Sequence, residues 1–420
     1  MDEVGRIGAA VADATELRGP RDEESAFGEA FGEELRDILA LESWRTGENL
    51  AEIYERTANE VAAAVALEAR VRDPIRTRLF PRIAARASAP VGAGVYRATI
   101  EDLTAVHERV LFTGGVEACD ATAYTHATLP LSVTQIGVSL VTYNGAQGTW
   151  VHRLFRRDLR ATQADPADEA LALLERRSWA DEEASRRKAD LSELARRAIR
   201  AYAERAILLR RSAATWRIGR GSPAPYELLT GSAGTLDIMV EATRLLEELI
   251  CGHQTFLYVQ DGLGHRMLST IGAALQPLEY AIVGTLADTI EPVVEASHYS
   301  LPTSSDTSVG GRLLQPREWI RRFCDEVATQ VIVGVYRASE LATARVFYAH
   351  LAHAHEAALV ALADSVLLPH RGVPMLLDLA AQVCEATFGP DSLAGALQLG
   401  YTRAGDPLRY FAGRMSGGRH

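Results

Sequence analysis

Apolar residues recur at every third or fourth position from Glu23 to about Ala85, most clearly in FGEELRDILALESW and AEIYERTANEVAAAVALEARV, and that spacing predicts helix. The segment ASAPVGAG ends the pattern, because proline and closely spaced glycines punctuate helices. From Gly114 to Arg160 the text reads as strands: VEACDA, LSVTQIGVSLVTYN and GTWVHRLFRRDL, with NGAQG as the turn between the last two. These are expected to be consecutive antiparallel strands. A basic helical stretch follows, and WRIGRGSPAPYELLTGSAG reads as a Gly and Pro loop leading into a helix from Leu236 to Ile250. Strand TFLYVQ, helix MLSTIGAAL and strand EYAIVGTLA then predict a βαβ-like alternation. After SLPTSSDTSVGGR, expected as an exposed and mobile loop, VATQVIVGVYRA and ARVFYAHLA read as strands. HEAALVALADSVLL and VPMLLDLAAQVCEATF read as helices. The elements imply an N-terminal helical region, 1–100, and an α/β domain, 101–420, with a basic helical insert at 161–213.

Composition narrows the class. At 420 residues, 47% hydrophobic and 24% charged, the chain can bury a sizeable core. No window reaches the roughly 18 uninterrupted apolar residues of a membrane span. The start MDEVGRIGAAVADATELRGPRDEE lacks the basic-then-apolar order of a signal peptide, so no membrane association and a cytoplasmic location are expected. Cys119, Cys251, Cys324 and Cys384 are widely spaced with no CxxC pair, which suggests neither a zinc site nor a disulfide framework. The net charge of −11 argues against a uniformly basic nucleic-acid-coating protein. Yet Arg153 to Arg220 holds 17 basic and 11 acidic residues. That stretch reads either as a phosphate-facing surface or as a solvated helical hairpin with i,i+4 ion pairs, and an Arg-rich helix face serves both.

Two aspartates sit where apolar strands stop. Asp261 follows FLYVQ and precedes a glycine turn, and Asp120 ends the apolar run of GGVEACDA. Acids converging from separate strands and a helix are what a pair of Mg²⁺ or Mn²⁺ ions requires, since two ions about 3.5–4 Å apart must share oxygen ligands. Glu241, on the helix before TFLYVQD, is the expected third acid; Glu247, Glu248 and Glu227 are alternatives. An Asp-Gly pair is also a common turn former, and a helical Glu more often faces solvent, so only the combination carries weight. Arg217 and Arg220, at the start of the Gly and Pro loop, are candidates for substrate phosphates. His350, His353 and His355 lack an HExxH partner motif and read as surface or cap residues. No GxSxG elbow or phosphate-binding glycine loop with its Lys is found. A meander followed by helix-strand units, with strand-end acids, resembles a ribonuclease-H-like mixed sheet flanked by helices.

The order of these features resembles the NurA nuclease family. It comprises a strand-end aspartate before a long hairpin, a basic helical stretch, a helix carrying Glu, a strand ending in DG, an IVGTLA run, and a late G-x-P-x-x-L-x-x-A helix start formed by Gly372, Pro374, Leu377 and Ala380. The similarity runs from about Gly114 to the C-terminus, each motif weak alone. It implies a metal-dependent (Mn²⁺ or Mg²⁺) DNA exo- and endonuclease, a homodimer, and a HerA-like hexameric ATPase as partner in DNA end processing, repair or defence. It also implies Asp120, Glu241 and Asp261 as metal ligands and catalytic acids. The chain departs from the family where a tyrosine and a histidine are expected in the late motif: Val373 and Ala381 stand there. Asp378 is nearby, and Ala287 and Asp288 stand where a lysine is expected. Three readings follow: a nuclease, an inactive relative that serves as scaffold or DNA guide, and an unrelated α/β protein with acids in turns. The first needs the three acids to converge, and the third shows no convergence. The N-terminal helices fit a dimerisation arm, a docking surface or an added layer equally well.

Overall fold

The computed structural model describes residues 27–28, 31–44, 50–127, 131–157, 167–168, 193–230, 236–296, 308–309, 312–313, 315–407 and 414–417. The chain divides into two compact units, Met1–Arg70 and Val71–His420. The first unit contributes a helical turn at Leu35–Leu39 and most of helix α1, Leu50–Arg78; none of its described residues is buried. The second opens with α2 (Phe80–Ala85), strand β1 (Gly94–Arg97) and α3 (Ile100–Val106). The division therefore lies before residue 100, because β1 already pairs with a strand of the main sheet.

The expected meander forms as β2 (Val116–Ala127), β3 (Leu131–Thr142) and β4 (Gly145–Arg157), antiparallel throughout. After it come α4 (Glu193–Arg211), β5 (Trp216–Arg220), α5 (Leu236–Glu247), β6 (Phe256–Gln260), α6 (Arg266–Ala274), β7 (Glu279–Thr285) and α7 (Leu286–Ala296). The short pair β8 (Ser308–Val309) and β9 (Arg312–Leu313) precedes α8 (Pro316–Glu326). Most of the expected mobile loop lies outside the described residues. The chain continues through β10 (Val331–Arg337), β11 (Arg345–His350), α9 (Ala354–Ser365), α10 (Met375–Phe388), α11 (Pro390–Arg403) and β12 (Arg414–Gly417).

The result is an α/β fold with a mixed sheet. Strand order is β1-β7-β10-β11-β6-β5-β2-β3-β4, with β12 added against β2. Among the described residues only β2 with β5 and β5 with β6 pair in parallel, at the centre. Side chains alternate across the strands, so each face meets its own helical layer. Phe256 and Tyr258 join Leu208 of α4, Leu246 of α5, Ile290 of α7 and Phe323 of α8 in one core. Leu257 and Val259 join Ala361 of α9 and Leu377 of α10 in the other.

Three expectations change. Trp216–Arg220 is not loop but a central strand, with Trp216 and Ile218 buried; its single Gly and two Arg hide a short apolar alternation. The unit expected from β6 to β7 is not a βαβ unit, since β11 and β10 lie between those strands. The parallel pairs are instead β2 with β5 and β5 with β6, the second of them linked through α5. The described part of the expected insert, α4, is neither an insertion nor a solvated hairpin. It packs on β2 and β3 with Ala198 and Leu208 fully buried, and Arg205 at 2% exposure. Residues 161–166 and 169–192 of that segment lie outside the described residues.

β5 fits between its neighbours because Gly219 has no side chain. A Cβ there would meet the Tyr258 ring at 2.3 Å. Arg205 lies over that same ring, its guanidinium carbon 5.2 Å from the centroid, and donates to the carbonyls of Pro223 (2.6 Å) and Ser222 (2.5 Å), pinning the loop after β5. Gly219→Ala is expected to destabilise the second unit by about 1–3 kcal/mol through overpacking. A lower denaturant midpoint at unchanged slope is the signature to look for.

Candidate functional site

The pleat determines which side chains meet where β5 and β6 end beside the interior of β2; β2 runs on to Ala127, so Asp120 does not stand at a strand end as the sequence suggested. Ala118, Ile218 and Val259 all point into the core beneath α9 and α10. Asp120, Arg220 and Asp261 lie two positions further along the same three strands, and a period of two returns each to that face. The register puts Ala118 level with Ile218, and Arg220 level with Val259, so Asp261 stands one step ahead of Arg220. The long arginine reaches both acids: Nε donates to Asp120 Oδ2 at 3.2 Å, and Nη1 to both Asp261 oxygens at 2.8 Å. Asp120 also accepts from the Ala121 amide at 2.9 Å.

Exposure differs sharply across the trio, from 12% for the Asp120 side chain through 22% for Arg220 to 58% for Asp261. Burial pushes the Asp120 carboxyl above its usual range, against the pull of Arg220. For Arg220 itself burial opposes the charge, but Asp120 and then Asp261 outweigh it and hold its pKa above the ordinary value. A further acid, Glu204 of α4, is in electrostatic reach of Asp120 and almost fully buried, with one oxygen lacking any hydrogen-bond partner. Burial pushes it up to about 7, against the pull of Arg205, with Asp120 adding to the rise. Sequence reasoning missed Glu204. The signal was present in the apolar stripe of Ala198, Ala201 and Leu208, which forces its neighbours on α4 inward.

The expected third acid is elsewhere. Met239, Val240, Ala242 and Leu246 take the buried side of α5, which leaves Glu241 outward, 57% exposed and paired to Arg244 at 2.8 Å. The alternatives are also engaged: Glu227 with Arg197 at 3.7 Å, Glu247 with Arg322 at 3.1 Å, and Glu248 with Arg210 at 2.6 Å. Asp378 pairs with Arg371 at 3.0 Å. Arg217 donates to the carbonyls of Leu209 (3.0 Å) and Ser212 (3.1 Å), so it clamps the turn from α4 into β5. His350 is buried and its Nδ1 accepts from the Ala352 amide at 3.1 Å, a capping role.

The fit to a divalent ion follows from this donor set. Mg²⁺ and Mn²⁺ take several oxygen ligands, and a two-ion centre needs carboxylates shared between the ions. Here two carboxylates converge, both already bonded to a guanidinium, and the third faces another surface. Among the described residues no group of three or more His, Cys, Asp or Glu is arranged to hold a metal. Asp120, Glu241 and Asp261 as disposed do not fit the ion. The rim beside Asp261 is basic: Arg345 donates to the Asp261 carbonyl and, at 2.7 Å, to that of Arg371, and exposed His265 and Arg266 open the helix that follows.

No family model matches the sequence, and no curated protein matches it. Among solved structures the chain is similar to the NurA nuclease from Sulfolobus solfataricus, at 8% identity and a TM-score of 0.41, over 84% of this chain and 98% of that one. It is also similar to a structure of NurA, at 8% identity and a TM-score of 0.39, over 87% and 100% of the two chains. For a structure of NurA with manganese the values are 8%, 0.33, 72% and 96%. A likeness at this level is one of overall chain course and assigns no role to any residue. No described helix is long and apolar enough to cross a membrane.

Glu204 gives the site a pH dependence. Its carboxyl sits near 4.5 when unfolded and near 7 when folded, so the unfolded chain releases the proton first and stability falls as pH rises between those values. Buried Asp364, held up to about 6, acts in the same direction. Glu204→Gln is expected to flatten the loss, gaining up to about 3 kcal/mol over wild type near pH 8 and little near pH 4.5. Thermal melts of both proteins across that range measure it.

Proposed function

We propose that the chain is a NurA-like DNA-handling protein that holds or guides DNA ends without hydrolysing them, acting beside a HerA-like hexameric ATPase in DNA end processing, repair or defence. The observation that carries this reading is that Asp120 and Asp261 share the guanidinium of Arg220 while Glu241 points away. Two acids in contact with an arginine, with no third acid grouped with them to hold a metal among the described residues, make a poor centre for activating water on a phosphodiester. The missing tyrosine and histidine at Val373 and Ala381 weigh the same way. Support for DNA as the partner comes from the sequence resemblance and from the basic rim of Arg266, Arg345 and Arg371, whose charges suit a phosphate backbone. A homodimer and a cytoplasmic location belong to the same proposal.

A hydrolytic reading has one observation in its favour: two aspartates, from the two strands that flank β5, do converge on a single positive centre. It requires Arg220 to leave and another acid to approach, with Mn²⁺ or Mg²⁺ as cofactor.

One set of experiments separates the two. End-labelled linear DNA is incubated with the purified protein in Mn²⁺ and Mg²⁺, with and without the ATPase, and binding is followed by fluorescence anisotropy over a range of salt. The expected result is salt-sensitive binding with no metal-dependent degradation. Arg266→Ala and Arg371→Ala should each weaken binding to all sequences alike and lower the salt slope by about 1. Metal-dependent cleavage that disappears in both Asp120→Ala and Asp261→Ala would install the hydrolytic reading instead. Absence of DNA binding at low salt would remove both.

A further inference from the structure

The acid pair is supplied with a cation by the chain itself. Two carboxylates brought to one place cannot both stay ionised in a partly buried setting without a counter-charge. Arg220 provides a charge that does not titrate, in a planar group whose donors meet both acids at once. Its Nη1 stands 2.8 Å from each oxygen of Asp261, and its Nε 3.2 Å from Asp120. Charge-assisted contacts of this kind are the strong class of hydrogen bond.

The position is built rather than incidental to a long side chain. The pleat of β5 sends residue 220 to the face of residues 120 and 261, and β5 is the strand that separates the other two. The loop behind Arg220 is fixed independently, since Arg205 holds the carbonyls of Ser222 and Pro223. On the far side the Leu377 carbonyl of α10 lies 3.5 Å from Nη2. Arg220 is thus enclosed by two strands, a pinned loop and a helix.

We propose that Arg220 takes the place of a divalent ion between Asp120 and Asp261, so that the pair is a closed ionic clasp joining the carboxyl ends of β5 and β6 to the interior of β2. The inference deepens the non-hydrolytic reading and rests on the same site. With the guanidinium removed, Asp120 and Asp261 lose their shared counter-charge, and a divalent ion becomes the remedy.

The test is the melting temperature of the full chain with and without millimolar Mn²⁺, for wild type, Arg220→Ala, Arg220→Gln and the double variant Arg220→Ala with Asp261→Asn. Wild type is expected to be indifferent to Mn²⁺. Arg220→Ala should melt lower and recover by about 3 °C or more when Mn²⁺ is well above its Kd. The double variant should show no recovery. A wild type that gains as much from Mn²⁺ as Arg220→Ala overturns the proposal, as does a folded Arg220→Ala that ignores the ion. Should Arg220→Ala fail to fold, Arg220→Gln keeps the bulk and is read in the same way. Electron paramagnetic resonance on wild type is then a second criterion, since one tightly bound Mn²⁺ per chain that Asp261→Asn abolishes also overturns the proposal. DNA binding measured on the same samples is a separate axis: its absence defeats the proposed function and leaves the clasp standing, because the Mn²⁺ response needs no DNA.

Discussion

The contact between one guanidinium and two carboxylates, where β5 and β6 end beside β2, is the constraint on which the centre of this molecule depends. Three parallel strands lie side by side there, and two of them bring negative charge, Asp120 from inside β2 and Asp261 just past β6. Without Arg220 the sheet would place like charges together at a partly buried point. With it, the same acids bind the strands laterally. The two core layers extend outward from this line: Leu208 and Leu246 on one face, Ala361 and Leu377 on the other.

A second tier of interactions holds the arginine's backbone. Gly219 lets the Tyr258 ring lie against β5, Arg205 covers that ring, and its donors secure the carbonyls that follow. Arg205 is charged and nearly inaccessible, a costly placement unless its hydrogen bonds are satisfied, and the Ala201, Ser222 and Pro223 carbonyls satisfy them. Glu204 beside it is less well provided for, with one oxygen lacking a partner, and so its proton is retained toward neutrality.

Much of this was legible in the chain. The long hairpin, β6, β7, β10, β11 and the final helices follow apolar periodicity, which depends only on local pattern. The strand-end position of Asp261 was legible for the same reason, whereas Asp120, expected where an apolar run stops, lies inside β2, which runs on to Ala127. What could not be read was β5, because a five-residue strand with one glycine and two arginines carries little apolar signal, and its burial comes from the strands on either side. Missing β5 hid the role of Arg220, which the sequence offered only as a phosphate contact. Glu241 was misleading because a helical acid near a DG turn resembles a ligand, whereas its orientation depends on which face of α5 packs against α4 and α8. Amphipathicity could have turned it outward: Glu241, Arg244 and Glu248 follow one another at helical spacing on the side opposite Met239, Ala242 and Leu246.

The seating of β5 also bears on how the chain reaches its native state. β5 pairs with β2 at a sequence separation of 100 residues, seen in Val116 opposite Trp216, while β2, β3 and β4 pair through short hairpin connections. Contacts that close long loops are entropically late and slow folding, whereas hairpins form early. Until β5 is seated, β2 and β6 each present an open edge, and the two aspartates have no counter-charge. A nascent chain therefore carries its most exposed pairing edges and its least balanced charges in the same place, and both are resolved by the arrival of a single five-residue strand.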